Sequence, residues 1–92
     1  MGAVAETMRR KLEAAFAPTR LEIVDDSHRH AGHGGARPEG ETHFDVTIVS
    51  SAFAGLGRVD RQRRVHAALA DELATRVHAL ALRTLTPDEA AR

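Results

Sequence analysis

Three histidines lie close together in the segment DDSHRHAGHGG, residues 25–35. His28, His30 and His33 fall within six positions and are followed by two glycines. Neutral imidazole binds metals and also titrates near neutral pH, so such a loop could be a metal site or a pH sensor. A phosphate cradle and a solvated turn are the other two interpretations. The spacing H-x-H-x-x-H is not a standard zinc site, and the segment alone does not choose among the four.

The chain contains no cysteine. Disulfides are therefore excluded, and any bound metal that needs thiolate ligands must take them from another molecule. The sequence motifs of common enzymes are also missing: there is no G-x-S-x-G elbow, no G-K-[ST] phosphate loop and no H-E-x-x-H pair. We therefore expect a protein that is not an enzyme.

Composition predicts one globular domain over residues 1–92, with 42% hydrophobic and 28% charged residues. Thirteen basic residues balance thirteen acidic ones, so a nucleic-acid partner would have to rest on a local basic patch. The N-terminus lacks the order of a signal peptide, and no apolar run approaches the ~20 residues that span a bilayer. We expect a soluble cytoplasmic protein with no membrane partner.

Apolar periodicity predicts the first half of the fold. Apolar side chains recur every four residues from Val4 to Phe16, which predicts a helix over about residues 3–16. RLEIVD and THFDVTIVS alternate apolar and polar residues, so both are predicted as half-buried strands. The loop between them, residues 27–41, is expected to be flexible and is long enough to suggest a function.

The second half of the sequence predicts a helix, a strand and a closing helix. Residues 58–75 form a helix or a broken pair of helices, with Leu69 on the buried face and Arg61 pointing away. VHALALRTL is predicted as a strand buried on both faces. Thr86 as N-cap and Glu89 at the capping-box position predict a closing helix. These elements predict an α+β fold in which helices pack on one face of a three-stranded sheet. The folded part of the domain is expected to cover about residues 4–87.

Three further features have competing interpretations. Arg58, Arg61, Arg63 and Arg64 begin the long helix, where they could contact DNA or form a solvated face. GHGG matches the G-x-x-G loop of KH domains, but it lies between two predicted strands, so loop flexibility is the simpler interpretation. His78 begins an otherwise apolar predicted strand, where it could be a metal ligand or a hydrogen-bonded packing residue.

Four stretches together resemble the BolA family: LEIVDDSHRHAGH, GETHFDVTIVSSAFAGLGRV, HAALADEL and VHALALRTLTP. The ordered motifs T-H-F, V-S-x-x-F-x-G and V-H-A-L-A extend the resemblance from about Met8 to Pro87. The resemblance implies a class II KH-like fold, α-β-β-α(α)-β-α, with a three-stranded mixed sheet.

The resemblance also implies a partner and a cargo. BolA-like proteins form heterodimers with monothiol glutaredoxins and share a [2Fe-2S] cluster, so we expect an adaptor in iron-sulfur cluster trafficking or iron and redox sensing. The ligands implied here are His78 and His30, with His33 and His28 as alternates. The glutaredoxin and its glutathione would supply the thiolates, so no cluster is expected on the isolated chain.

The alternative implied by the same family is a DNA-binding transcriptional regulator of stress response and cell morphology. It would use the arginine-bearing helix, residues 58–75. Gln62 stands where many relatives have histidine in an R-H-R sequence, which makes a role for this helix less secure. A homodimer of this chain is a further alternative.

Overall fold

The computed structural model describes residues 2–26 and 42–92. The predicted loop, with His28, His30 and His33, lies outside these described residues. The elements are α1 (Ala3–Phe16), β1 (Arg20–Asp25), β2 (His43–Val49), α2 (Arg58–Ala68), α3 (Ala70–Thr75), β3 (Ala79–Leu85) and α4 (Pro87–Ala90). A short 3-10 turn, Ser51–Phe53, follows β2. The predicted α+β class and order of elements are confirmed.

The sheet is mixed, with strand order β1-β2-β3. β1 pairs antiparallel with β2, and β2 pairs parallel with β3. Parallel neighbours need a crossover connection, which α2 and α3 provide here. The N-terminal ends of β2 and β3 therefore meet at one edge of the sheet, beside the C-terminal end of β1.

The core lies between one face of the sheet and the helices. On α1 the apolar stripe from Val4 through Met8 and Leu12 to Phe16 is buried, as its spacing predicts. Opposite it, β2 contributes Phe44, Val46 and Ile48, while α2 contributes Val65. Ser50 Oγ donates to the carbonyl of Phe16 at 2.6 Å, so the end of α1 is fixed to the end of β2.

The prediction that β3 is buried on both faces is wrong. Ala79, Ala81 and Arg83 are exposed, while Leu80 and Leu82 are only partly buried against the core. β3 is an edge strand, and the helices cover only one face of the sheet. An apolar run made largely of alanine and leucine therefore leaves its alanines in solvent.

Arg61 does not point away from the protein as predicted. Its side chain is 12% exposed and reaches inward from the start of α2. Arg61 Nε donates to the Leu56 carbonyl at 2.8 Å, and Nη1 donates to the Thr84 carbonyl at 3.1 Å. The start of α2 crosses over the end of β3, where polar groups replace the apolar face found further along the helix.

The helix over residues 58–75 is broken at Leu69, whose backbone angles leave the helical region between α2 and α3. The capping box of α4 is confirmed: Thr86 Oγ1 accepts from the Glu89 N–H, and Glu89 Oε1 accepts from the Thr86 N–H. Within the two described ranges, no helix has the length and apolar character needed to span a membrane.

Candidate metal centre

His43 and His78 lie side by side at the N-terminal edge of the parallel pair. His43 is the first residue of β2 and pairs with Ala79, the first residue of β3, so His78 immediately precedes its strand. The two ring centroids are 6.2 Å apart, with 58° between the ring planes. Parallel pairing thus brings together two imidazoles that are 35 residues apart in the sequence.

Thr42 fixes both histidines. It is 1% exposed, and its carbonyl accepts hydrogen bonds from the backbone N–H of His78 at 2.7 Å and of Ala79 at 3.2 Å. Its hydroxyl lies 2.9 Å from His43 Nδ1. When Nδ1 of His43 carries the proton and donates to Thr42, Nε2 retains its lone pair for a metal. A single buried residue therefore holds the backbone of His78 and contacts the imidazole of His43.

The two histidines differ in exposure. His78 is exposed and His43 is half-buried. A cavity of about 220 Å³ adjoins His43 and is lined by His43, Asp45, Ala79 and Ala81 among others. The alanines leave this space free because their side chains end at the β-carbon.

The described residues do not form a complete metal site. Within residues 2–26 and 42–92, no group of three or more His, Cys, Asp or Glu side chains is placed to hold a metal ion. A metal at this edge would therefore take two imidazoles at most from His43 and His78. The remaining ligands would come from elsewhere.

Of the predicted ligands, the structure describes His78 alone. Its exposure rules out the alternative of a packed core histidine. His30, His33 and His28 lie outside the described residues, but the flanking residues Asp26 and Thr42 are both at the histidine edge. The Asp26 N–H donates to the His43 carbonyl at 2.7 Å. The described residues that precede and follow this segment, Asp26 and Thr42, are therefore both next to the histidine pair.

His43 was missed as a functional candidate. The sequence analysis assigned no function to it and treated it only as part of the predicted strand THFDVTIVS. The available signal was that T-H-F and V-H-A each place histidine where a predicted strand begins. Recognising that these strands pair in parallel would have placed the two rings together.

The arginines of α2 occupy different environments. Arg58, Arg63 and Arg64 are exposed, and Arg63 lies 3.8 Å from Asp60. Arg61 instead forms an ion pair with Glu89, with Nη1–Oε1 at 2.6 Å and Nη2–Oε2 at 3.2 Å. The hydrogen bonds from Arg61 and from the Thr86 backbone lower the pKa of Glu89 to about 2. Arg61 would have to leave this pair in order to bind a phosphate.

Comparison with known proteins identifies the family. A family profile described as BolA-like protein matches residues 12–89. The chain belongs to the BolA family. "BolA-like protein 1" of Homo sapiens is 48% identical over 87 residues, covering 95% of this chain and 61% of the human protein. The "DNA-binding transcriptional regulator BolA" of Escherichia coli is 45% identical over 86 residues, covering 94% and 78% of the two chains.

A solved BolA structure confirms the fold. The "BolA domain of SufE1 from Arabidopsis thaliana" superposes with a TM-score of 0.86 at 43% identity, and the match covers 97% of this chain and 98% of that one. The family and fold implied by the sequence resemblance are thus both confirmed. This BolA-like chain spans about three-fifths of the length of its human relative.

Proposed function

We propose that this chain is an adaptor, with no turnover of its own, that docks on a monothiol glutaredoxin and shares a [2Fe-2S] cluster with it. It would act in iron-sulfur cluster trafficking or in iron and redox sensing. The observation that carries the proposal is the accessible histidine pair, His43 and His78, in a chain that has no cysteine.

The ligand count supports a shared cluster. A [2Fe-2S] cluster takes four ligands, usually thiolates, and histidine can replace two of them. A monothiol glutaredoxin would contribute one thiolate and its glutathione another, which leaves two positions for imidazole. His78 is the first of these, and His30 is the second, with His33 and His28 as alternates. The cluster is cargo held between two proteins.

His43 has a supporting place in this proposal. Its ring is close to His78, and Thr42 orients it. We assign it the role of a neighbouring imidazole that can take the position of a loop histidine. Such a replaceable ligand suits a protein that passes a cluster on, because ligands can exchange one at a time.

The ligand type also affects the electronic properties of the cluster. Neutral imidazole in place of thiolate makes the cluster less negative and raises its reduction potential, as in Rieske centres. Solvent exposure and hydrogen bonding around the bound cluster would tune its potential further.

Anaerobic reconstitution tests the proposal. The chain is incubated with iron and sulfide, alone and together with a monothiol glutaredoxin and glutathione. We expect a stable visible chromophore and a 1:1 heterodimer only in the mixture. A stoichiometric coloured cluster on the isolated chain would contradict the proposal, as would a mixture whose spectrum equals that of glutaredoxin alone.

A second candidate function is DNA binding, favoured by the name of the Escherichia coli relative and by the exposed side chains of Arg58, Arg63 and Arg64. Arg61 is the least suited of the four because it is paired with Glu89. Duplex affinity should then fall steeply with salt and weaken in Arg64→Ala. Duplex affinity that neither salt nor Arg64→Ala changes would count against this role.

A further inference from the structure

A second cavity lies at the opposite end of β3 from the histidines. It has a volume of about 390 Å³ and is lined by the start of α2, the C-terminal half of β3 and the residues around α4. β3 runs from Ala79, beside the histidine pair, to Leu85, at this cavity. At a rise of about 3.3 Å per residue, the cavity extends along β3 from roughly 10 Å (Leu82) to roughly 20 Å (Leu85) away from Ala79, and it shares no lining residue with the cavity beside His43. The cavity is therefore separate from the candidate metal centre.

Positive charge dominates the walls of this cavity. Four arginines line it, namely Arg58, Arg61, Arg83 and Arg92, against the single carboxylate of Glu89. Glu89 is fully engaged by Arg61 through two hydrogen bonds. In the part of the chain that the structure describes, the guanidiniums of Arg58, Arg83 and Arg92 have no hydrogen bond or ion pair. Three positive charges are thus left without a counter-charge.

These three arginines come from separate, well-anchored elements. Arg58 is the first residue of α2, Arg83 lies in β3, and Arg92 follows α4. α4 is held by its capping box and by the Arg61–Glu89 pair, while Arg61 also bonds to the carbonyl of Thr84 in β3. The guanidiniums are therefore attached to a braced frame. Because the backbone is already fixed, only the arginine side chains have to become ordered when an anion binds.

The cavity floor is suited to an organic group. Leu82 and Leu85 are half-buried in it, and the half-buried amide of Gln62 lines it without a hydrogen-bond partner among the described residues. An apolar concavity of about 300–1,000 Å³ with a few converging polar groups is the usual form of a small-molecule site. Guanidinium binds phosphate bidentately and also stacks on planar rings.

We propose that this cavity binds a small organic polyphosphate of the nucleoside diphosphate class. The phosphates would lie on Arg58, Arg83 and Arg92, and the planar body would lie against Leu82 and Leu85 with Gln62 bonding to its polar edge. The inference goes beyond the proposed cluster function and does not depend on it. A duplex fits less well, because these arginines surround a concavity rather than follow one exposed helix face.

Isothermal titration of the full chain with ADP in magnesium-free, low-salt buffer tests this proposal, with pyrophosphate and adenosine as separate ligands. ADP should bind more tightly than either fragment. Arg83→Ala and Arg58→Ala should each weaken ADP binding about tenfold or more, as expected for a lost charge-assisted hydrogen bond. Arg64→Ala is the matched control, since it removes an exposed arginine from the same helix outside the cavity, and it should leave the affinity unchanged.

Several outcomes would overturn the proposal. Equal losses in Arg64→Ala and Arg83→Ala would indicate general electrostatic attraction, and pyrophosphate binding as tightly as ADP would indicate a plain anion site. Duplex DNA that outcompetes ADP and depends on Arg83 would assign the cavity to nucleic acid. Arg83→Ala should still form the coloured complex with glutaredoxin, so failure here and failure of the cluster role are distinguishable. Far-ultraviolet circular dichroism controls for folding.

Discussion

The ring centroids of His43 and His78 lie 6.2 Å apart because β2, which His43 begins, pairs in parallel with β3, which His78 immediately precedes. The crossover through α2 and α3 returns the chain to the same edge of the sheet, where the buried Thr42 holds the backbone of His78. The edge of a rigid sheet is a precise platform for a ligand. The two histidines therefore depend on the fold for their placement, whereas the fold depends little on them.

Replacement of His78 should remove the cluster without affecting folding. His78 is exposed, so we expect His78→Ala to change the free energy of unfolding by less than about 0.5 kcal/mol. The visible circular dichroism of the reconstituted glutaredoxin complex should be lost. His66→Ala, which removes an exposed histidine from α2, is the control and should retain the spectrum. An unaltered visible spectrum in His78→Ala would mean that the family likeness extends to the fold but not to the cluster.

The loop histidines should be partly redundant. Three of them lie within six positions, so one can replace another when a single ligand is lost. His30→Ala should weaken the cluster signal only in part, while the joint replacement of His28, His30 and His33 should approach the loss seen in His78→Ala. Cluster content per heterodimer, measured as iron and sulfide, checks this. If His30→Ala alone abolished the cluster, the alternates would play no part.

His43→Ala tests the imidazole that the sequence analysis overlooked. Because His43 is proposed to substitute for a loop histidine, its loss in an otherwise intact chain should leave the cluster formed but shorten its lifetime. In the variant that lacks all three loop histidines, adding His43→Ala should remove the residual signal. The cluster lifetime is measured as the rate at which the visible absorbance of the complex decays after an apo-acceptor protein is added. Equal lifetimes in all backgrounds would restrict His43 to a structural contact.

The locally encoded parts of the fold were predictable. The apolar residues of α1 repeat every four positions, and T-P-D-E contains every group needed for the capping box of α4. Such features depend on neighbours within one or two turns. The bounds of α1 and the start of α4 accordingly agree with the sequence-based predictions.

The parts that depend on tertiary contacts were not predictable from local pattern. β3 has an apolar sequence, but Ala79 and Ala81 are exposed because they lie on the face of the sheet that the helices do not cover. Arg61 turns inward because Glu89, 28 residues later, is brought to it by the docking of α4. His43 meets His78 only through the parallel register. In each case a partner distant in the sequence determines the environment.

The Arg61–Glu89 pair should make stability depend on acid pH. The pKa of Glu89 is lowered from 4.5 to about 2 in the folded chain, first by the hydrogen bond from Arg61 and then by the Thr86 backbone N–H. The folded state thus binds fewer protons than the unfolded state between these values. The contribution of Glu89 to stability should be fully present above about pH 4.5 and should be lost as the pH falls toward 2.

Glu89→Gln isolates this effect, because glutamine retains an oxygen that accepts from the Thr86 N–H but has no charge for Arg61. Denaturant unfolding from pH 7 to pH 2 should give a lower free energy of unfolding for the variant at neutral pH. The difference in the free energy of unfolding between the variant and the unsubstituted chain should shrink below pH 4.5, because protonation of Glu89 removes the same charge from the unsubstituted chain. Asp88→Asn, an exposed neighbour on α4, should give no such closing gap. A gap for Glu89→Gln that stayed constant down to pH 2 would mean that packing or capping, and not the charge on Glu89, holds α4 in place.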